Sequence, residues 1–337
     1  LRAAVRSHLT SDVPVGVFLS GGLDSSAVLS QMRTLMSEKP QGFTLGFDDR
    51  ENDESGIARR LAHDWQIVHR DERLASGNAV QHLKRLIHFF DEPFGDTSSV
   101  PTFLVSELAS QHVKVVLSGD GGDELFGGYI TSSGARNLSA AAAIPQALRS
   151  HGAAVAQRLR PSPSFQRLQL PTWLLMASLR DRIFDDTVDS AIMPDYRVSR
   201  EAMLSTYDRL KPQLESLSPV NAYFAGLVAS YLQDDILTKV DRASSAHGLE
   251  VRVPLLDHHF VSLAASIPLR LRFAEGTPKY IFREAIREEL PDYIMDHGKR
   301  GFGFPLSYFD VQRWHAEIDG LRRELPQLDS IINFKSK

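Results

Sequence analysis

The sequence predicts an α/β protein, a parallel sheet with a large helical carboxyl-terminal portion, on three observations. Short apolar runs alternate with helical periodicity through residues 1–130, two of those runs end in glycine-rich loops bearing acids, and beyond Pro219 the apolar positions recur at helical spacing.

The first strand is Val15 to Leu19, ending at Ser20-Gly21-Gly22, after which Val28, Leu29, Met32 and Leu35 mark a helix. Further β-rich runs lie at Phe43 to Phe47, Gln66 to His69 and Val113 to Leu117, separated by helical stretches at 55–64, 76–90 and 100–111. Strands alternating with helices give a parallel sheet covered on both faces, which binds ligands beyond the carboxyl ends of its strands. The loops after Leu19, Phe47 and Leu117 therefore share one edge. Residues 1–130 form this α/β core, and 131–337 a mainly helical portion that completes the substrate site. Within it, 131–200 holds an alanine-rich run at 139–143, a proline-serine stretch at 161–164 and no convincing strand. Tyr223, Leu227, Val228, Tyr231, Leu232, Ile236 and Val240 trace a helix through Pro219 to Ala246. Thr277-Pro278 reads as an N-cap and first turn, with Pro291 closing that helix and Lys279 and Arg283 four apart on one face.

Composition excludes several function classes. The 337 residues, 42% hydrophobic and 24% charged, suffice for one large core or two modest ones. A formal charge of -4 without a long basic run gives no footprint for nucleic acid or an anionic membrane. Absence of cysteine excludes disulfides, thiolate metal sites and a cysteine nucleophile within the chain, and is compatible with a cytoplasmic location. No apolar run approaches the roughly 20 residues that span a bilayer. The amino terminus shows no signal-peptide pattern, and the start at Leu1 rather than methionine suggests a fragment of a longer polypeptide.

The loop Ser20-Gly21-Gly22-Leu23-Asp24-Ser25-Ser26 has the marks of an anion cradle. Its glycines admit a phosphate close to the backbone, its three serines add donors, and a helix amino terminus follows. A lone Gly-Gly pair would be a tight turn, but the full pattern between strand and helix favours phosphate. Asp24 would repel a bare phosphate, and makes sense as a ligand of magnesium, which is bound through one or two carboxylates plus substrate phosphates. The stretch Val115 to Tyr129, VVLSGDGGDELFGGY, repeats the arrangement with Ser118, Gly119, Asp120, Asp123 and Glu124, so Asp24 and Asp123 can serve the same metal. The EF-hand spacing that calcium would use is missing.

These residues resemble the synthetase domain of the glutamine-dependent asparagine synthetase family, relatives of which include β-lactam synthetase. The resemblance runs to about Tyr308 and rests on SGGLDSS (20–26), FTLGF and DES (43–47, 53–55), SGDGGDELFGGY (118–129), KVDRASSAHGLEVRVPLLD (239–257), PKYIFREA (278–285) and GKRGFGFP (298–305). It implies the ATP pyrophosphatase (adenine nucleotide α-hydrolase-like) fold. It also implies ATP and Mg2+ as cofactors, adenylation of a carboxylate with release of pyrophosphate, and displacement of AMP by ammonia. The implied ATP and pyrophosphate contacts are Leu19, Ser20, Gly21, Gly22, Asp24, Ser25, Ser26, Leu45, Ser118 and Gly119, with Leu45 and Gly119 at the adenosine. Asp24 and Asp123 are the implied magnesium ligands. Lys299 resembles the lysine that steadies the adenylating phosphate, and Lys279 a second basic contact; a solvated charge is the ordinary fate of either lysine alone. Arg252 and Asp257 match patterned positions that a loop anchor explains as well as catalysis does.

Two departures from the family pattern matter. Asp120 stands where better-known members have glutamate, one methylene longer, at a position held to guide or deprotonate the attacking amine. The amino-terminal glutaminase domain with its cysteine nucleophile is not in this chain, so it is expected as a partner in the full-length protein. Small-molecule substrates are the other expected partners, with a homodimer left open. Twelve scattered histidines lack a zinc pattern, and Phe302, Phe304, Tyr308 and Phe309 are either pocket wall or ordinary packing. The reading is ATP-dependent amide synthesis on L-aspartate. The alternatives are the same chemistry on another carboxylate, a non-catalytic nucleotide-binding homologue, and a tRNA-modifying relative.

Overall fold

The computed structural model describes residues 1–48, 53–74, 79–91, 94–130, 132–179, 199–205, 207–297, 316, 319–320, 322–324 and 326. Its strands are β1 (Val15–Phe18), β2 (Gln41–Phe47), β3 (Val68–Leu74), β4 (Val115–Leu117) and β5 (Glu250–Arg252), in one sheet of order β3-β2-β1-β4-β5. Every pairing is parallel, with Val17 beside Gly42 and Leu117 and with Val116 beside Val251. β2 is buried from Gly42 to Phe47, as a strand covered on both faces must be, whereas the edge strand β3 carries His69, Arg70, Asp71, Glu72 and Arg73. The third strand begins later than the apolar pattern suggests because Gln66 turns the chain with φ of 52°.

Helices α1 (Arg2–His8), α2 (Leu23–Leu35), α3 (Ser55–Asp64), α4 (Ala79–Phe90) and α5 (Ser99–Ser110) connect and cover the strands. Phe43, Leu45, Phe103, Leu104 and Val116 form one buried cluster with Ala243 and Leu249. Each large side chain so buried contributes about 1.5–3 kcal/mol.

The chain divides into two compact units, Leu1–Thr131 with Leu232–Asp310, and Ser132–Tyr231 with Val311–Lys337. The described residues 232–297, which the helical pattern groups with the carboxyl-terminal portion, cluster with the sheet. The physical reason is β5, a strand the helical reading does not contain, which extends the sheet beside β4. Arg252 anchors it by donating to the carbonyls of His8 (2.8 Å) and Thr10 (2.7 Å), and Asp257 caps the helix His258–Ser266 through the amides of His259 and Phe260. Both residues are therefore placed as loop anchors. The second unit is helical in its described residues, with Arg149 donating to the carbonyls of Leu168 (3.0 Å) and Leu170 (2.7 Å).

The helix expected from Pro219 to Ala246 is α-helical at Pro219–Leu227 and Thr238–Ser245 and π-helical at Val228–Leu237. Wide turns of that kind are rare, and many lie at functional sites.

Candidate active site

The strand order reverses at β1: the chain moves outward through β2 and β3, then crosses to place β4 on the other side of β1. At such a switch point the loops leaving the two neighbouring strands diverge and open a crevice. Here those loops are Leu19 to Ser26 and Ser118 to Asp123.

The first loop is internally wired. Ser20 Oγ accepts from the Gly22 amide (3.1 Å) and lies 3.0 Å from Ser25 Oγ, which donates to the Gly22 carbonyl at 3.3 Å. Gly21 turns with φ of 82°, and Gly22 is the N-cap of α2. Ser20 and Ser25 thus shape the cradle besides offering hydroxyls to a ligand. Ser26, in the first turn of α2, is fully buried. Leu19 and Leu45 are core residues at 1% and 4% exposure, and the Leu19 main chain is engaged as well, its amide donating to the Phe43 carbonyl at 2.9 Å and its carbonyl accepting from the Thr44 hydroxyl at 2.6 Å.

The second loop presses against the first. A Cβ on Gly119 would lie 2.6 Å from the Ser25 amide nitrogen, so only glycine allows the end of β4 to meet the first turn of α2. The amide of Ser118 is meanwhile held by the Arg252 carbonyl at 2.9 Å. A short helix, α6 (Gly122–Phe126), carries Asp123 at its start.

Asp24, Asp123 and Lys279 meet. The Lys279 ammonium is 2.6 Å from Asp24 Oδ2 and 2.6 Å from Asp123 Oδ1. Burial pulls its pKa down, but the two carboxylates outweigh this and hold it above the usual lysine value, so it remains protonated. The helix expected to contain Lys279 begins at Tyr280, and Lys279 is instead its N-cap, in a left-handed conformation with φ of 57°. Thr277 is not the cap, and Lys279 does not share a helix face with Arg283. A lysine rarely adopts this backbone, at a cost of order 1–3 kcal/mol. The ion pair with both aspartates offsets that cost and aims the side chain into the crevice.

The donor set fits magnesium. Two carboxylates already converge on one cationic centre, and against one ammonium they leave a formal charge of one negative. No cluster of three or more metal-ligating side chains occurs among the described residues. That suits an ion completing its shell from phosphates and water.

Gly128 closes the floor: a Cβ there would overlap Asp123 Oδ1 and come 2.7 Å from Lys279 Cε. Gly128→Ala is expected to displace the Asp123 carboxylate, lower stability by about 1–3 kcal/mol and depress pyrophosphate release. Thermal melting and a pyrophosphate assay check this, and wild-type values in both would contradict it.

Two further acids have distinct environments. Glu124 is 2% exposed, and burial pushes its pKa to about 7 against the hydrogen bond donated by the Tyr129 hydroxyl. Asp120 is half-buried, and desolvation raises its pKa against the attraction of Lys239.

Lys239, Asp96 and Ser98 were not singled out by the sequence reading. Lys239, 6% exposed, donates to Asp96 Oδ2 at 2.8 Å and Ser98 Oγ at 2.7 Å. The available signal was Lys239 at the head of the KVDRASS motif, but its partners lie 143 and 141 positions away.

Lys299 and the aromatic residues Phe302, Phe304, Tyr308 and Phe309 lie outside the described residues. His297, the last described residue before them, has its Nε2 3.3 Å from Glu54 Oε1 in the DES stretch. Asp53, beside it, accepts from the amides of Phe47 (3.3 Å) and Ser55 (3.0 Å). His297 is therefore tied to the segment that follows β2.

The sequence matches the family model for asparagine synthase over residues 1–327. The chain belongs to the asparagine synthase family. Its α/β sheet is accordingly of the ATP pyrophosphatase type. It is 31% identical over 330 residues to the glutamine-hydrolysing asparagine synthetase 1 of Bacillus subtilis, covering 94% of this chain and 50% of that protein. It is 29% identical over 325 residues to a putative glutamine-hydrolysing asparagine synthetase of Mycobacterium tuberculosis, covering 92% and 48%. A protein of Gibberella zeae named as an amidase is 26% identical over 363 residues, covering 95% and 54%. The chain thus spans about half the length of these relatives, consistent with a synthetase domain of the asparagine synthase family.

Proposed function

We propose that this chain catalyses ATP-dependent amide synthesis, adenylating the side-chain carboxylate of L-aspartate and passing the acyl group to ammonia. The observation that carries the reading is the meeting of Asp24, Asp123 and Lys279 where β1 and β4 end, at the reversal of strand order. The α2 amino terminus and the loop at Ser20 to Ser26 would receive the β and γ phosphates, and the strand ends at Leu19, Leu45, Ser118 and Gly119 the remainder of ATP. Asp24 and Asp123 would hold magnesium, which when bound neutralises phosphate charge.

An aspartate carboxylate oxygen attacks the α-phosphorus, and the bond to the β-phosphate breaks, releasing pyrophosphate. Lys279 follows the charge onto the leaving group. Lys299 is assigned the adenylating phosphate on the strength of its motif. Ammonia then attacks the acyl carbon, the bond to AMP breaks, and Asp120 receives the proton.

The relatives named above are glutamine-hydrolysing and about twice as long, which supports a glutaminase partner delivering the ammonia. ATP and a free amino acid as substrates support a cytoplasmic setting. Among the described residues no helix is long and apolar enough to cross a membrane. The second reading, the same chemistry on another carboxylate, is favoured by Asp120, whose shorter reach alters the acceptor side.

Protein, ATP, magnesium, ammonium and L-aspartate are expected to give equimolar asparagine, AMP and pyrophosphate, with none in the control lacking aspartate. Turnover restored only by a different acid would replace aspartate in this reading. ATP binding without turnover on any acid would favour a non-catalytic homologue.

A further inference from the structure

The short helix that carries Asp123 does not hold itself in place. α6 spans five residues, Gly122–Phe126, and the chain leaves it through Gly127, with φ of 85°, into a second glycine, Gly128. A helix of that length is marginal alone, and glycine has the greatest backbone freedom of any residue, so other contacts must fix the turn. On its apolar side, Phe126 stacks on Phe282 of the helix Tyr280–Ile286 with ring centroids 4.8 Å apart, and Arg272 donates to the Leu125 carbonyl at 3.0 Å. The turn itself is closed by polar contacts. The Asp123 carbonyl accepts from the amides of both Gly127 (2.9 Å) and Gly128 (3.0 Å), and the Tyr129 hydroxyl reaches back across the glycines to donate to Glu124 Oε1. Glu124 is 2% exposed, so this bond is made away from water, where it is stronger than at the surface.

The turn bears on the cation site because Gly128 borders the Asp123 carboxylate. A Cβ on Gly128 would overlap Asp123 Oδ1 and come 2.7 Å from Lys279 Cε, so the course of the backbone there decides where that oxygen can lie. The same Oδ1 is the atom 2.6 Å from the Lys279 ammonium. Tyr129 follows Gly128 directly, and its hydroxyl ties the far side of the glycine pair to the helix that Asp123 begins. We propose that Tyr129 is a positioning residue, whose bond to Glu124 closes the Gly127-Gly128 turn and thereby holds the Asp123 carboxylate where it takes a divalent cation. Within SGDGGDELFGGY, Asp123 supplies the ligand, and Glu124 and Tyr129 brace it.

The inference rests on the assignment of Asp123 to the metal, and titration of the full, nucleotide-free chain with Mn2+ separates the two. Affinity is read by electron paramagnetic resonance, and thermal melting is recorded on the same samples. Tyr129→Phe removes only the hydroxyl and is expected to weaken Mn2+ binding by about 3- to 10-fold, the size of one hydrogen bond. The KM for Mg2+ in pyrophosphate release is expected to rise by a similar factor. Glu124→Leu is expected to match Tyr129→Phe, and the double variant to be no worse than either alone. Glu124→Gln keeps an oxygen for the hydroxyl and is expected to stay within about twofold of wild type. Wild-type Mn2+ affinity in Tyr129→Phe overturns the inference even if melting falls, because a merely structural bond shifts melting alone. A defect in Glu124→Gln as large as that in Glu124→Leu also overturns it, since the hydrogen bond is then not what matters. Unchanged Mn2+ affinity in Asp123→Asn overturns instead the metal assignment on which the inference stands.

Discussion

Asp123→Asn and Asp24→Asn are each expected to lower acceptor-dependent pyrophosphate release by about 10²- to 10³-fold. Either change removes one of the two carboxylates that meet at a single cationic point, each 2.6 Å from the Lys279 nitrogen. The same substitutions leave a buried ammonium with one ionised partner in place of two. Removing a partner from a buried pair costs about 3–5 kcal/mol, and the surviving carboxylate reduces that figure here. Lost activity alone would thus be open to the objection that the variants unfold. A double variant answers it: Lys279→Met added to Asp123→Asn removes the stranded charge and is expected to regain melting temperature without regaining turnover. Recovery of activity in the double variant, or near-normal turnover in both single variants, would contradict the assignment of these carboxylates to the metal.

Lys279→Met alone is expected to move two observables in opposite directions. Adenylation falls by about 10²-fold, because the only buried cation in contact with both aspartates is lost from the described site. Divalent cation binding to the nucleotide-free protein strengthens by about 10-fold or more, equivalent to ~1.4 kcal/mol, because the ammonium competes for the same two carboxylates. Titration with Mn2+, read by electron paramagnetic resonance, measures the second effect without reference to catalysis. Unchanged affinity would mean that the lysine and the metal do not share the aspartates. The left-handed backbone at Lys279 bears on the same point: φ of 57° holds the side chain across the crevice, whereas a helical Lys279 would not be so constrained.

The parts of this fold legible in the sequence are those coded locally. β1 and β2 are short apolar runs that break at glycine or acid, and α2 carries its apolar spacing openly, so the loop at Ser20 to Ser26 could be placed at a strand end from the residues alone. β4 with its SGDGGDE loop was legible for the same reason. β5 was not, since Glu250–Arg252 is three residues long and acquires its identity only by pairing with β4. The N-cap at Lys279 was equally hidden. Thr277-Pro278 is a fair local signal for a helix start, and the actual start is decided by two aspartates more than 150 positions earlier. Lys239 belongs with these, a lysine in a helical run whose burial is set by Asp96 and Ser98 on a different element. Leu19 and Leu45 show a subtler gap: both are buried in the sheet, a placement that residue identity at a strand end does not encode.

The account's central claim is that a carboxylate oxygen of the acceptor attacks the α-phosphorus in the crevice between β1 and β4, and that nitrogen then displaces AMP at carbon. Turnover of L-aspartate labelled with ¹⁸O in its side-chain carboxylate, in the presence of ATP and ammonium, tests it directly by mass spectrometry of the nucleotide product. The expected result is one ¹⁸O in AMP, one retained in the amide and none in pyrophosphate. Label in inorganic phosphate together with ADP, or unlabelled AMP accompanying labelled asparagine, would contradict the claim.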